Sequence, residues 1–575
     1  MSNESFPPLL SHPVPSDDIG FTGEPNYGGT NETIANDTEL GTVTDDASVF
    51  DDKLDGDMSH VYHEPEGTKV CNFFTLWSYV GPGWLMAIAN LDPGNLVSDL
   101  QAGAYTGYQL LWVLTWATCF GWACQVFALM LGAITGKDLA QLCRERYPRP
   151  ISLLLWVLME LVIIGNDIQQ IIGSAVAFRI LFGLPLWAGS LITAIDTFTF
   201  LGFQYFGIRK LEAFFASLVF GMCICFFINF GVMDPPAAEI AEGVFVPKIE
   251  SYATMRMVGL LGSLLMPHNF FLHSASVAAR KIKRESPFHV REAIKYFSID
   301  AALALFMSLL INLAVISVFA AGFFRIDCAR QELAWVPDPT LPEGGSCKEI
   351  GLLNAGSVLQ ATLKGSAEKV WAVGLLAAGQ AATMTGTFAG QYIMEGFLEI
   401  KLPKWKRIIL TRVVALFPAV FVALAAQRNE GLQDIVDEWI NVLQCVALPF
   451  ALFPVLHFIA SDSVLGGRDF IPGRFRRGMV WFLALLVITA NFYLLATDVL
   501  SGMSKAVCFI FGMISVYYLK ICYALVETDI LAAYAKVKSC IQCTRQRDTH
   551  PQEVTEYLPI ESPQPTTSVQ IKTQE

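Results

Sequence analysis

The sequence predicts an all-α polytopic membrane protein, built as two inverted five-helix repeats with two further C-terminal helices. Three observations carry that prediction. The 575 residues are 53% hydrophobic and only 16% charged, with mean hydropathy +0.46, a balance that excludes a soluble enzyme. Runs near 20 apolar residues recur about twelve times between residues 76 and 525. The first and the sixth of these runs are each interrupted by polar, helix-breaking residues.

Ahead of the spans lies an acidic tail. Residues 1–70 hold fifteen Asp/Glu against two Lys/Arg, which accounts for the whole formal charge of −13 and leaves the remainder about neutral. Rich in Pro, Gly, Ser, Thr and Asp, this stretch lacks the apolar surface to fold alone. The expected organisation is a disordered cytoplasmic tail over 1–70, a transmembrane domain over 76–525 and a cytoplasmic C-terminal tail over 526–575. No N-terminal signal peptide is evident.

Span 1 covers about Trp77 to Ala104 and holds the first break. Spans 2 to 5 cover Leu110–Leu131, Leu153–Phe178, Leu186–Tyr205 and Leu211–Val232. Span 6, Met257 to Ala275, holds the second break. Spans 7 to 12 follow at Phe297–Phe323, Val370–Phe397, Ile408–Ala425, Trp439–Ile459, Met479–Ala496 and Ala506–Leu525.

Basic residues set the orientation. Lys137, Arg144, Arg146 and Arg149 follow span 2, and Arg209 and Lys210 follow span 4. Arg280, Lys281, Lys283 and Arg284 follow span 6. Lys401, Lys404, Lys406 and Arg407 follow span 8, and Arg468, Arg474, Arg476 and Arg477 follow span 10. Short odd-numbered loops carry two at most, so both termini are expected in the cytoplasm. The long loop 325–369 then faces the lumen or exterior, where its Cys328 and Cys347 can form a disulfide. Sequons at Asn3, Asn31 and Asn36 fall on the wrong side for glycosylation. Cys540 and Cys543 form a lone CxxC, which without a second pair does not read as a zinc site. Tyr557-Leu558-Pro559-Ile560 fits a tyrosine-based sorting signal for trafficking adaptors.

The breaks carry the chemistry. The first reads Asn90-Leu91-Asp92-Pro93-Gly94-Asn95 and the second Leu265-Met266-Pro267-His268-Asn269. In hydrocarbon an unsatisfied carbonyl or amide costs several kcal/mol unless it lines a cavity. Each proline also frees a carbonyl one turn back. Asp92 supplies a hard carboxylate, Asn95 an amide oxygen and Met266 a soft thioether, with Ala89 and Ser263 offering carbonyl oxygens. A mixed oxygen and sulfur set disfavours Mg²⁺ and Ca²⁺ and suits Mn²⁺, Fe²⁺, Co²⁺ or Cd²⁺. Span 6 is the fifth span after span 1, an odd step, so the two run oppositely, which places the site where two inverted repeats meet.

Leu91-Asp92-Pro93-Gly94-Asn95, Met266-Pro267-His268-Asn269 with Leu272-His273-Ser274, and Gly379-Gln380-Ala381-Ala382-Thr383-Met384-Thr385-Gly386 resemble signatures of the Nramp family of proton-coupled divalent metal transporters. The resemblance covers roughly residues 76–525. It implies a LeuT-like fold, with metal ligands at Asp92, Asn95 and Met266 and a carbonyl from Ser263, where the family usually has Ala. It also places Asn441 of span 10 near the metal.

The same resemblance assigns acids, histidines and an arginine to a proton route. In this chain these are Glu160 and Asp167, seven residues apart on one face of span 3, with His268 and His273 of span 6 and Arg407 at the start of span 9. Two positions depart from the family. Gln170 stands where relatives usually have Glu, and Ala447 stands where many have Gln.

The expected function is therefore secondary active transport of divalent transition metal into the cytosol with protons, by alternating access. The expected partners are metal ions, protons and the lipid bilayer, in the plasma membrane or an endosomal or vacuolar membrane. No cofactor, nucleic acid or enzymatic role is expected. Two alternatives share the composition: a metal sensor that does not transport, and a sodium-coupled organic solute transporter of the same fold. An intramembrane metalloenzyme would need a HExxH helix, whereas His268 and His273 are spaced HxxxxH without an intervening Glu.

Overall fold

A computed structural model describes residues 73–203, 208–331, 333–337, 345–363, 367–399, 404–426, 432–467, 470–494 and 512–527. The acidic N-terminal tail, the CxxC and the Tyr557–Ile560 signal lie outside the described residues.

Helices fall on each expected span. Span 1 comprises a lead-in helix Phe73–Tyr79, then half-helix 1a (Pro82–Ala89) and half-helix 1b (Pro93–Thr106). Spans 2 to 5 are Leu111–Thr135, Arg149–Phe182, Leu186–Phe203 and Ile208–Met233. Span 6 comprises 6a (Thr254–Leu264) and 6b (Pro267–Ala278). Spans 7 to 11 are Pro287–Phe323, Ala367–Leu398, Lys404–Ala426, Leu432–Ala460 and Arg474–Leu494, and span 12 is 512–527.

Among the described residues, five helices (spans 2, 3, 7, 10 and 11) are each long and apolar enough to cross a membrane. Spans 1 and 6 fall short individually because each is divided. Large apolar side chains such as Trp116, Phe220, Phe417, Phe421 and Phe482 point outward, as a lipid-facing surface requires. The chain is an integral, multi-pass, all-α membrane protein.

Boundaries differ from expectation where capping overrides hydropathy. Span 7 begins ten residues early, at Pro287, because proline is favoured in the first helical turn. Beyond span 5, Pro235 and Pro236 stop the helix, and Ala237–Phe245 leaves at 117° to the end of span 5. Hydropathy alone does not register that turn.

The core is organised by the two broken spans. Half-helix 1a packs on 6b, and 1b packs on 6a. Span 7 lies along both halves of span 1, span 8 runs along span 3, and span 10 lies against 1b, 6a, 6b and span 3. Span 10 is thus enclosed on several sides, while span 11 touches few neighbours.

Between spans 7 and 8 the structure pairs Cys328 and Cys347 in a disulfide, with Cα atoms 5.3 Å apart. An antiparallel hairpin, β1 (Ala334–Pro337) and β2 (Gly345–Lys348), puts Trp335 opposite Cys347. The Arg325 guanidinium stacks 3.7 Å from the Trp335 ring. After the hairpin the loop is pinned to span 1b: the Ile350 amide donates to the Tyr105 hydroxyl at 2.9 Å, and that hydroxyl donates to the Ile350 carbonyl at 3.2 Å.

Candidate metal-ion site

The first break is a short turn closed on itself. The amides of Asn90 and Leu91 bond back to the carbonyls of Met86 (3.0 Å) and Ile88 (3.1 Å). Asp92 then caps 1b in extended conformation, its Oδ1 accepting from the Asn95 amide at 2.8 Å. Its other oxygen, Oδ2, is buried without a hydrogen-bond partner. In a continuous helix the Ala89 carbonyl would accept from residue 93, but Pro93 has no N–H.

The second break repeats this logic. The helical partner of the Ser263 carbonyl would be residue 267, which is Pro267. Met266 occupies the cap position of 6b with φ −49° and ψ 121°, and its side chain is buried. The Ser263 hydroxyl is committed to its own helix, donating to the Leu260 carbonyl at 3.1 Å. What Ser263 offers the site is therefore its carbonyl, which Ala would offer equally.

Asn269 Nδ2 donates to Asn90 Oδ1 at 3.2 Å and joins the two breaks. Span 7 supports the first half: the Gly83 amide donates to Asp300 Oδ2 at 2.7 Å. Span 10 holds the second half through Asn441, whose Nδ2 donates to the Gly94 carbonyl (3.1 Å) and to Ser98 Oγ (2.9 Å). Gln169 of span 3 completes the scaffold, donating to Asn441 Oδ1 and to the Asp437 carbonyl, each at 2.9 Å. The resemblance places Asn441 near the metal; here its Nδ2 holds 1b while its Oδ1 accepts from Gln169 of span 3. Gly262, beside Ser263, lies so close to the Asn441 carbonyl that a methyl there would collide with it.

One turn past Asp92, Asn95 is wholly buried and both of its amide atoms lack partners. Among the described residues no three His, Cys, Asp or Glu side chains cluster as metal ligands. The available set is one carboxylate, an amide, a thioether and freed carbonyls.

Of the expected proton groups, Asp167 is buried beside Gly386 of span 8, where an added methyl would lie 3.1 Å from Asp167 Oδ1 and 3.3 Å from Gln170 Nε2. Gln170 is also buried, with neither amide atom partnered. His268 and His273 are buried; both ring nitrogens of His273 and Nδ1 of His268 lack partners. Glu160 is only half-buried and accepts from Trp156 Nε1 at 3.1 Å. The Arg407 side chain lies outside the described residues.

Sequence reasoning missed Gln169, Asp99 and Asp437. Both acids are completely buried, and neither carboxylate has a hydrogen-bond partner. A helical-face reading could have found them: Asp99 lies two turns after Asp92, and Asp437 lies one turn before Asn441.

A family model described as natural resistance-associated macrophage protein-like, Nramp, matches residues 83–497. The metal transporter nramp1 homolog of Dictyostelium discoideum is 46% identical over 432 residues, 75% of this chain and 76% of that one. Metal transporter Nramp3 of Arabidopsis thaliana is 46% identical over 425 residues, 73% and 80% of the two chains. A solved structure of the Eremococcus coleocola manganese transporter superposes with TM-score 0.69 at 28% identity, covering 83% of this chain and 98% of that one. On the strength of that match across the breaks, the scaffold and span 10, the chain belongs to the Nramp family.

Proposed function

We propose that this protein is a secondary transporter that carries divalent transition metal ions into the cytosol together with protons. The observation that carries this reading is the meeting of the two breaks. A buried, half-satisfied Asp92 carboxylate lies where spans 1 and 6 are unwound and joined by Asn90 and Asn269. A charge at membrane depth is costly and is retained for function. The relatives named above are metal transporters by name, and one structural relative is a manganese transporter.

In this reading the metal substrate is held by Asp92, Asn95, the Met266 sulfur and the carbonyls of Ala89 and Ser263. Asn441 positions 1b and turns toward the metal when span 10 moves. The metal is cargo, so the protein needs no resident cofactor and performs no catalysis. Protons travel through Asp167, His268 and His273, with Glu160 and Arg407 toward the cytoplasmic end. Both termini are cytoplasmic, the disulfide loop faces the lumen or exterior, and the membrane is the plasma membrane or an endosomal or vacuolar one. Adaptors reading Tyr557–Ile560 would direct that choice.

The test is Mn²⁺ uptake into proteoliposomes with internal pH recorded. Metal accumulation accompanied by acidification supports the reading. Binding without accumulation would convert it to a sensor.

A further inference from the structure

Gln169 of span 3 is buried, and both ends of its side-chain amide are engaged. Its Nε2 donates to the Asp437 carbonyl and to Asn441 Oδ1, each at 2.9 Å, and its Oε1 accepts from Gln444 Nε2 at 3.4 Å. Asn441 passes the line on, its Nδ2 donating to the Gly94 carbonyl and to Ser98 Oγ of 1b.

A side-chain amide has nearly the same shape turned end for end, so its partners decide which end faces where. A backbone carbonyl only accepts. The Asp437 carbonyl therefore requires the nitrogen of Gln169 at one end of this line, and the Gly94 carbonyl requires the nitrogen of Asn441 at the other. The link left between them is Gln169 Nε2 to Asn441 Oδ1, which is the bond observed. Turning either amide over sets oxygen against oxygen at a carbonyl. The line has one orientation, fixed at both ends by backbone.

Span 3 also lies directly on the start of 1b. A Cβ at Gly94 would stand 2.6 Å from Gln169 Oε1, and one turn along span 3 a Cβ at Gly173 would collide with the Pro93 ring. Pro93 and Gly94 are the two residues that separate Asp92 from Asn95. Span 3 thus presses on the segment that spaces two of the metal-site side chains, and Gln169 ties that segment to span 10.

We propose that Gln169 is a positioning residue for the metal site: it orients the Asn441 amide, which holds the Gly94 carbonyl and so sets the spacing of Asp92 and Asn95. The inference rests on the metal-site reading above. Gln169 acts through Asn441 and is not itself a ligand. Without its donor, the Asp437 carbonyl and Asn441 Oδ1 are left buried and unsatisfied, and Asn441 is free to turn over and release Gly94. Hydrogen-bonded supports of this kind are typically worth about 10–100-fold in metal affinity.

The experiment measures Mn²⁺ affinity of the purified full-length protein by electron paramagnetic resonance, together with the thermal unfolding midpoint. Gln169→Met keeps the length of the side chain and removes both donors. It is expected to weaken Mn²⁺ binding about tenfold. Added to Asn441→Ala it is expected to weaken binding no further, because the residue it acts through is gone. The unfolding midpoint should fall in both backgrounds, since the Asp437 carbonyl loses its donor either way. Parent-like Mn²⁺ affinity in Gln169→Met, or equal weakening with and without Asn441, overturns the proposal. Should Gln169→Met fail to fold, Gln169→Asn decides in the same cycle: it keeps the amide but is one methylene too short to reach Asn441, and the same two outcomes support or overturn. Binding of Mn²⁺ by the parent without accumulation in proteoliposomes would defeat the transport reading alone, and the affinity comparison would still decide the role of Gln169.

Discussion

Asn269 Nδ2 and Asn90 Oδ1, 179 residues apart in sequence, are 3.2 Å apart in the structure. This is a direct side-chain tie between the two spans at their breaks, and it is buried. Replacing Asn269 with Ala leaves Asn90 Oδ1 buried without its donor, at a cost of about 1–3 kcal/mol. The expected outcome is a lower thermal unfolding midpoint and slower Mn²⁺ uptake. Parent-like values of both in Asn269→Ala would show that the breaks are held by backbone packing alone.

Asp92→Ala is expected to abolish metal uptake while the protein still folds. It removes the only carboxylate in the first break, where attraction for a divalent ion is large because the surroundings are poorly polarisable. The Asn95 amide loses its cap acceptor, worth about 0.5–2 kcal/mol, which the surrounding core can absorb. Asn95→Ala removes a neutral ligand and is expected to raise KM rather than eliminate transport. Mn²⁺ uptake by the two variants, normalised to folded protein, checks the ordering.

Gly262→Ala is expected to destabilise the protein by about 1–3 kcal/mol, the usual cost of overpacking. The added methyl meets the Asn441 carbonyl, which is backbone and cannot swing aside. Since Asn441 holds Gly94 and Ser98, the strain should pass to 1b and lower metal affinity as well. Thermal unfolding and Mn²⁺ KM measured together test both effects. An unshifted midpoint would mean that 6a and span 10 are less tightly packed than their contact implies.

The breaks were legible because helix-breaking residues in an apolar run leave few other readings: Pro93 and Pro267 announce which carbonyls are freed. The inverted pairing was legible from the number of spans between them. The scaffold was not. Gln169, Asn441 and Gly94 come from three different helices, and nothing in their local sequence says that they share hydrogen bonds. Asp99 escaped notice because Ser98, Asp99 and Gln101 look like the polar face of an ordinary helix, whereas every residue of 1b is in fact buried. The helix Ala237–Phe245 and the hairpin at Ala334–Lys348 were also missed, since short elements outside the spans leave no hydropathy signal.

Gln170→Glu is expected to change the coupling of protons to metal. Gln170 is buried beside Asp167, near Gly386, and an amide neither takes up nor releases a proton near pH 7. A carboxylate there would add a proton acceptor to the route proposed through Asp167 and His273. The measurement is metal-driven acidification in liposomes across a pH series, parent against variant. Identical proton-to-metal ratios and pH profiles would remove position 170 from the proton route.

Met266→Ala is expected to change selectivity more than capacity. The thioether is polarisable and favours soft or borderline metals, and it offers little to Ca²⁺ or Mg²⁺. Its position is fixed by the cap of 6b, where Pro267 begins the half-helix and the Asn269 amide bonds back to the Met266 carbonyl at 3.2 Å. Truncation to Ala keeps that backbone geometry and deletes only the sulfur-bearing side chain. The remaining donors, Asp92, Asn95 and the freed carbonyls, are all oxygen, and the space left behind admits water. An oxygen site with water suits hard cations. Cd²⁺ uptake should therefore fall most, Mn²⁺ uptake should fall less, and Ca²⁺ or Mg²⁺ should compete better. Met266→Leu keeps the volume without the sulfur, so it separates ligation from packing: a ligand role predicts loss of Cd²⁺ preference in both variants, and a packing role predicts a parent-like Leu variant. Unchanged Cd²⁺ affinity in Met266→Ala, with Ca²⁺ still excluded, would rule out the thioether as a ligand.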